Sequence, residues 1–283
     1  MSIIMLVNSC MDMLEVARRN KKIAICILAL LPNLNIFSAI LLREAWVEFF
    51  VALSLYYFVK WFLRGNGLYI GLVVASVLSA AYMHAGVIGL ILGYAIAFVT
   101  YNPRTGAVTF SRTTIVSLIF MGLITVGVSS YMDLFTSKFA GYESIDDIVA
   151  VTNAGADNKG DSAYLQWINS NSVVQSLLFA PLKMAYFLFS PLPTEWRRLS
   201  DVIGFLIDGM IYMGMCYAAY KYKADDIINT NLKRYLVVAI LITTFIFGYG
   251  TSNAGTAFRH RTKIASVVVL TFAVSTIKNK YDE

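Results

Sequence analysis

Long apolar runs alternate with short polar or basic connections along the whole chain. An α-helix rises about 1.5 Å per residue, so a run of about 20 apolar residues spans the roughly 30 Å of hydrocarbon in a bilayer. The pattern predicts an all-α, polytopic integral membrane helical bundle with about eight transmembrane helices, a re-entrant or interfacial segment and one long outer loop. The predicted spans are residues 23–42, 46–63, 68–83, 87–101, 113–132, 202–220, 234–250 and 264–277.

Three places in this pattern interrupt a helix. Pro32, with Asn33 and Asn35 beside it, predicts a break inside the first span because proline lacks a backbone N–H group and clashes with the preceding turn. Residues 84–86 separate two short runs, which predicts two tightly connected helices or one broken hairpin. The glycine-flanked stretch 250–255 predicts that the backbone leaves the helix there and exposes its amides.

The composition agrees with a bilayer as the solvent. Hydrophobic residues make up 58% of the chain, charged residues make up 14%, and the mean hydropathy is +0.66. Such a chain has too little charge for a water-soluble fold, and we expect no nucleic-acid partner. The cysteines, Cys10, Cys26 and Cys216, follow neither a disulfide nor a zinc-site spacing, and we expect them to be small buried hydrophobic side chains.

Basic residues in the short connections orient the spans, because lysine and arginine collect on the cytoplasmic side of a membrane. The cluster at 18–22 therefore places the N-terminal segment inside, and the C-terminal Lys278 and Lys280 return to the same side. The other basic residues of the predicted inside connections are Lys60, Arg64, Arg104, Arg112, Lys221, Lys223, Lys233 and Arg234.

The longest connection, residues 133–172, carries six acidic residues against two lysines. Its net charge of −4 places it outside, and the remainder of the chain then carries +10. Its length and polar composition are typical of a functional loop, yet it contains the apolar patches 148–151 and 164–168. We therefore expect a lid of short helices over an outer cleft, with Tyr164 or Trp167 available for stacking.

Residues 173–193 disturb this alternation. A complete crossing there would place the basic connection 221–234 outside. We predict instead that the segment is broken by Pro181 and Lys183, is closed by the prolines at 191 and 193, and returns to the outer leaflet. The consequence is an outer face that gathers Arg43, Glu44, His84, Arg197, Arg198, Arg259, His260 and Arg261.

The chain then divides into five segments, with both termini in the cytoplasm. Their order follows from the spans and from the charge of the connections. They are a cytoplasmic or interfacial N-terminal segment (1–22), the first transmembrane helices (23–132), the outer acidic loop (133–172), the re-entrant or interfacial segment (173–193) and the C-terminal transmembrane helices (202–283).

The densest polar cluster is the run from Arg259 to Lys263, which places four basic or titratable side chains in five positions. Such a cluster at a membrane boundary is either a topology anchor or an anion site. Arginine on the outer side runs against the positive-inside bias, and bidentate binding of phosphate or carboxylate gives it a reason. A diphosphate headgroup suits this cluster.

Asp208 lies in the middle of a predicted span, where a carboxylate costs roughly 2.5 to 3.5 kcal/mol to insert. It therefore needs a partner, and Lys183 is the nearest candidate in the sequence. A structural ion pair and a catalytic role both remain open for Asp208. Asp201, seven residues earlier, is expected to hold Arg197 and Arg198.

Several short motifs together resemble one known family. They are Pro32, Ser-Ala-Ile-Leu-Leu-Arg-Glu at 38–44, Tyr-Met-His at 82–84, Phe-Ser-Pro-Leu-Pro-Thr-Glu-Trp at 189–196, and Gly-Thr-Ala-Phe-Arg-His-Arg at 255–261. In this order, and on one outer face, they resemble the Wzy-type oligosaccharide repeat-unit polymerases of bacterial O-antigen and capsule clusters, in the O-antigen ligase-like superfamily. The resemblance covers roughly residues 20–275.

The resemblance implies metal-independent glycosyl transfer on the outer face of a bacterial inner membrane. An undecaprenyl-diphosphate-linked glycan is the expected donor, and a hydroxyl of a second lipid-linked repeat unit is the expected acceptor. Membrane lipids, a flippase and a chain-length regulator are the other implied partners, and no cofactor is implied. The sequence agrees in containing no Asp-x-Asp, P-loop or Gly-x-Gly-x-x-Gly motif.

Candidate roles follow from these residues. The expected diphosphate ligands are Arg43, Arg197, Arg259 and Arg261, although arginine also snorkels at helix ends without a ligand. Glu44, His84 and His260 are the candidate catalytic residues, with Glu44 or His84 as the general base. For Glu44 the alternative is an ion pair with Arg43 or another basic neighbour, and for the histidines it is packing or hydrogen bonding. The full set of candidate site residues, ligands and catalytic residues together, is Arg43, Glu44, His84, Arg197, Arg259, His260 and Arg261.

Two other functions remain open. A carrier or flippase of lipid-linked glycan would use broken helices and central charges for binding and translocation. It predicts charges distributed along a path through the membrane, whereas most polar clusters here lie at one face. The third reading is a structural subunit of a membrane complex.

Overall fold

The computed structural model describes residues 1–39, 43–108, 162–168 and 173–275. These residues are almost entirely helical, with one two-residue β-hairpin, β1 (Tyr101–Asn102) and β2 (Ala107–Val108). The helices are α1 (Ser2–Met13), α2 (Arg18–Leu30), α3 (Pro32–Ala39), α4 (Arg43–Arg64), α5 (Leu68–Met83), α6 (Gly89–Thr100), α7 (Val173–Phe189), α8 (Leu199–Lys221), α9 (Ile227–Tyr249), α10 (Ala254–Arg261) and α11 (Ala265–Ala273).

Three helices, α4, α8 and α9, are long and apolar enough to cross a membrane. The bent pair formed by α2 and α3 is a fourth candidate. The all-α membrane fold is therefore supported, whereas the number of eight spans is not established. The helices α5 and α6 are shorter apolar elements, and the predicted span 113–132 lies outside the described residues.

The short helix α11 occupies the centre of the bundle. Every residue from Ala265 to Ala273 is buried, and the helix packs against α1, α2, α4, α8 and α9. Its free C-terminal carbonyls are satisfied from α2, because the Asn20 side-chain amide donates to the carbonyls of Ala273 (3.2 Å) and Ser275 (2.9 Å). A sequence of valine, leucine, alanine and threonine with no charge suits this fully enclosed position.

The N-terminal segment contains a helix of its own. In α1, Val7, Cys10 and Met11 are buried, and the helix packs against α4 and α11. An ion pair between Asp12 and Lys21 joins α1 to α2. The burial of Cys10 agrees with its predicted role as a small hydrophobic side chain, whereas Cys26 is exposed and Cys216 is only partly buried, so the prediction of burial is wrong for Cys26.

The predicted break in the first span is confirmed. The chain bends by 48° between α2 and α3, at Leu31. Pro32 removes one backbone donor, and the Asn35 side chain supplies another by donating to the carbonyls of Ala29 (2.8 Å) and Leu31 (3.1 Å). The bend brings α3 against α10, where the rings of Phe37 and Phe258 lie 6.3 Å apart.

The predicted break near His84 is also confirmed. The helix α5 ends at Met83, and His84 has an extended backbone before a short 3₁₀ turn, Ala85–Ile88, leads into α6. Close packing on α9 sets the position of α6: a Cβ atom on Gly93 would lie only 2.3 Å from the Ala239 Cα atom. Glycine is required there because the two backbones touch.

The prediction that Pro181 and Lys183 break the apolar segment 173–193 is wrong. The helix α7 continues through Pro181, and packing against α9 holds it together. The Phe187 and Phe247 rings stack at 5.4 Å, and the Lys183 carbonyl lies so close to Gly248 that a Cβ there would be 3.1 Å away. Tertiary contacts therefore compensate for the hydrogen bond that Pro181 cannot make.

A labelling experiment tests the orientation of this fold. The 23-residue helix α9 separates Lys223 from Thr256, and both residues are exposed. In a chain whose native cysteines are replaced, Thr256→Cys and Lys159→Cys should react with a membrane-impermeant maleimide on intact cells. Lys223→Cys should react only after permeabilisation. Labelling of Thr256→Cys only after permeabilisation would place α10 on the cytoplasmic side.

Candidate functional site

Three separate parts of the chain meet at one cluster of polar side chains. They are the first turns of α4, the break at His84, and α10 with the 3₁₀ turn Thr262–Ile264 that follows it. We call this cluster the polar junction. Its members are Arg43, Glu44, Glu48, His84, Arg259, His260 and Lys263.

The start of α10 explains how its basic residues are presented. Gly250 ends α9, and Asn253 caps α10 by accepting hydrogen bonds from the amides of Gly255 (2.9 Å) and Thr256 (3.3 Å). The predicted departure from helix is therefore confirmed at 250–253. The expectation of exposed backbone amides is wrong for Gly255 and Thr256, because the Asn253 side chain satisfies them.

Glu44 is held by two arginines. Its Oε1 atom lies 2.8 Å from Arg259 Nη2 and 3.6 Å from Arg43 Nε. The Glu44 side chain is 2% exposed, whereas those of Arg259 and Arg43 are 38% and 60% exposed. The ion-pair alternative for Glu44 is therefore confirmed, and both guanidinium groups still reach the surface of the junction.

The two histidines form a direct pair. His84 Nε2 lies 3.2 Å from His260 Nε2, a distance at which one ring donates its proton and the other accepts it. Burial lowers the pKa of His260 to about 2, and the positive charges of Lys263, Arg259 and Arg43 act in the same direction. His260 is therefore neutral near pH 7, and it becomes an effective proton acceptor only when a bound anion offsets these positive charges.

Glu48 and Lys263 form the inner side of the junction, and our list of candidate residues missed both. Each is almost fully buried. Burial lowers the pKa of Lys263 to about 7, although the nearby Glu44 and Glu48 carboxylates oppose this effect. The sequence signals were the four-residue spacing of Glu48 from Glu44 and the position of Lys263 at the end of the basic run.

Arg261 has a different place from the one expected of a diphosphate ligand. Its side chain is 0% exposed and pairs with Asp208. Its Nη1 atom donates to the carbonyls of Leu188 (3.1 Å) and Ser190 at the end of α7. The guanidinium is therefore enclosed by protein groups, and it does not face the junction.

The expected pairing of Asp208 with Lys183 is wrong. Asp208 pairs with Arg261, and the Lys183 ammonium lies 4.8 Å from the centroid of the Tyr249 ring. The sequence separation misled the prediction, because the end of α7 and the middle of α8 meet α10 only in the folded bundle. Asp208 lies in a π-helical turn, Phe205–Gly209.

Arg197 lies apart from the polar junction. Its guanidinium donates to the Ala163 carbonyl at 3.4 Å. Asp201 accepts hydrogen bonds from the backbone amides of Arg197 (3.0 Å) and Arg198 (3.1 Å), so the expectation that Asp201 holds these residues is confirmed through their main chain. Neither of these contacts of Arg197 involves a residue of the polar junction.

Residues 162–168, the described end of the acidic loop, are attached to the start of α10. Ala163 forms a β-bridge with Asn253. The prediction that Tyr164 can stack on a ligand is wrong, because its ring is buried and its hydroxyl donates to the Thr251 carbonyl at 3.1 Å. Trp167 is 68% exposed and stays available for stacking. The predicted lid over 133–161 lies outside the described residues.

The junction combines cations that reach solvent with a neutral base. Arg43 and Arg259 can bind an anion through planar donor groups, and the His84–His260 pair can accept a proton beside them. Among the described residues, no group of three or more histidine, cysteine, aspartate or glutamate side chains is arranged to hold a metal ion. No protein family model, characterised protein or solved structure matches this chain. A function must therefore be argued from these residues.

The burial of Arg261 leads to a stability prediction. Arg261→Ala leaves the Asp208 carboxylate buried without its partner, which should cost about 3–5 kcal/mol. Arg259→Ala removes a partly exposed side chain, and the buried Glu44 carboxylate keeps Arg43 beside it, so this variant should cost less. We expect a clearly lower Tm and a lower folded yield for Arg261→Ala in detergent, measured by intrinsic fluorescence. Equal Tm values for the two variants would contradict the structural role of Arg261.

Proposed function

We propose that the protein is a membrane glycosyltransferase that polymerises undecaprenyl-diphosphate-linked oligosaccharide repeat units on the outer face of a bacterial inner membrane. The products would be O-antigen, capsule or exopolysaccharide. The observation that supports this most is the meeting of Arg259, His84 and His260 at one site from distant parts of the chain. A glycosyl transfer from a diphosphate needs an anion site and a proton acceptor side by side.

Arg259 and Arg43 are the proposed diphosphate ligands. Arg259 uses one terminal nitrogen for Glu44 and keeps other donors for a second acceptor. A guanidinium binds phosphate oxygens through paired hydrogen bonds, and neutralising the diphosphate makes it a better leaving group. Arg261 is not proposed as a diphosphate ligand, because protein groups enclose its guanidinium. Arg197 contributes only if a bound glycan reaches the connection between α7 and α8.

His260 is the proposed proton acceptor, and His84 orients it. The acceptor hydroxyl oxygen attacks the anomeric carbon of the donor and forms the new glycosidic bond. The bond from that carbon to the diphosphate oxygen breaks, and its electron pair leaves with the diphosphate. The hydroxyl proton passes to the imidazole lone pair. Glu44 is better suited to hold Arg259 than to act as the base, because its Oε1 atom already contacts two arginines.

A carrier of lipid-linked glycan is the second candidate function. Broken helices and buried charges are typical of carriers, and the chain has both. However, the buried charged side chains in the described part of the chain lie close together. Glu44, Glu48 and Lys263 belong to the polar junction, and Asp208 and Arg261 form the ion pair next to it. A single cluster suits a reaction site better than a path across the membrane.

Complementation of a deletion strain tests the proposal. The strain should accumulate a lipid-linked single repeat unit, and the wild-type chain should restore a polymer ladder. Arg259→Ala should abolish the ladder at normal protein abundance, and Arg259→Lys should restore it poorly because lysine lacks the planar donor pair. Arg198→Ala, which removes an exposed arginine outside the junction, is the matched control and should keep the ladder.

Two outcomes would count against the polymerase. A normal ladder from Arg259→Ala would remove the arginine from the reaction. A deletion strain in which the single repeat unit is no longer exposed on the outer face would instead indicate the carrier.

A chelator experiment tests the expected independence of metal ions. Transfer by the purified protein, with lipid-linked repeat units extracted from the deletion strain, should continue in excess EDTA because guanidinium groups supply the positive charge. Product is measured by gel electrophoresis and mass spectrometry. Activity that disappears with EDTA and returns with magnesium or manganese would overturn this expectation and direct attention to Asp146 and Asp147.

A further inference from the structure

Arg261 anchors α10 at three points. Its side chain pairs with Asp208 of α8 and donates to the carbonyls of Leu188 and Ser190 after α7. Its own backbone carbonyl accepts a hydrogen bond from the Tyr212 hydroxyl at 3.2 Å. Through this single residue, these bonds connect α10 to α7 and to α8.

The π-helical turn of α8 places Asp208 for this contact. A π turn inserts one extra residue into a helix and shifts the side chains that follow it. Gly209, at the end of the turn, lies so close to α7 that a Cβ atom would be 2.6 Å from the Phe189 carbonyl oxygen. The Asp208 carboxylate therefore lies inside the bundle, beside the end of α7 and next to Arg261.

The anchor determines which way the preceding residues of α10 face. Successive side chains of an α-helix are separated by about 100° around its axis. Arg259 therefore lies on nearly the opposite side from Arg261 and faces Glu44 of α4, while His260 faces His84. An eight-residue helix has little stability of its own, so its rotation depends on contacts such as those of Arg261.

We infer that Asp208 is a positioning residue, which acts through Arg261 to hold His260 against His84. Asp208 does not touch the substrate in this arrangement. Its catalytic consequence rests on the proposed glycosyl transfer, whereas its effect on the histidine pair does not. The two parts can therefore be tested separately.

Histidine NMR measures the first part directly, because the chain contains only two histidines. The full chain, labelled with ¹⁵N-histidine, purified without a histidine tag and placed in lipid nanodiscs, should show one ring that donates from Nε2 and one that accepts there. Asp208→Asn should move both rings towards the averaged tautomers of a solvated imidazole. Asp208→Glu, which keeps the charge, should restore the wild-type pattern at least in part.

Asp201→Asn is the matched control. It makes the same chemical change in the same helix and weakens the hydrogen bonds that Asp201 accepts at the start of α8 by removing its charge, but it leaves Arg261 in place. A general loss of stability would affect both variants. The inference requires that the histidine signals change in Asp208→Asn and stay the same in Asp201→Asn.

Kinetics measure the second part. A displaced base should lower kcat by about 10- to 100-fold in Asp208→Asn. The Kd for inorganic pyrophosphate should rise much less than kcat falls, because Arg43 lies on α4 and Arg259 keeps its own ion pair with Glu44. Wild-type histidine signals together with wild-type kcat in Asp208→Asn would overturn the inference. Changed histidine signals in a protein whose wild type forms no polymer would support the positioning role and refute the polymerase.

Discussion

The buried ion pair between Asp208 and Arg261 is the interaction on which the site depends. Charges of this kind are costly inside a bundle unless each polar atom has a partner. The Arg261 guanidinium is compensated by the carboxylate of Asp208 and by two carbonyls at the end of α7. One arginine thereby connects α7, α8 and α10. Because a buried arginine without these partners would be costly, the three helices must keep the relative positions that allow the contacts.

The arrangement of the polar junction depends on the Asp208–Arg261 pair, although neither residue of the pair belongs to the junction. Arg259 and His260 precede Arg261 in α10, so its anchoring turns them towards α4 and the break at His84. Burial keeps His260 neutral, since its pKa falls to about 2, while the Arg43 and Arg259 side chains reach the surface of the site. A neutral base beside exposed guanidinium groups suits the proposed transfer from a lipid diphosphate, in which charge and proton are handled by different residues.

Particular residues show how far sequence reasoning reached. The breaks at Pro32 and His84 and the departure from helix at 250–253 were predictable, because each follows from local backbone chemistry. Pro181 was misread, since contacts of α7 with α9 preserve a helix that the local rule would interrupt. The role of Arg261 was also misread, because the groups that bind its guanidinium, on Asp208, Leu188 and Ser190, lie more than 50 positions away in the sequence.

The sequence alone determined that this is a helical membrane protein, where several of its helices are interrupted, and which run of basic residues matters most. These properties depend on the transfer of side chains from water to an apolar phase and on the local geometry of proline and glycine. Only the tertiary structure decided which arginine is buried and which is presented, and that the two histidines form a pair. Neighbouring residues of a helix point about 100° apart around its axis, and the packing of distant segments selects the direction that each one takes.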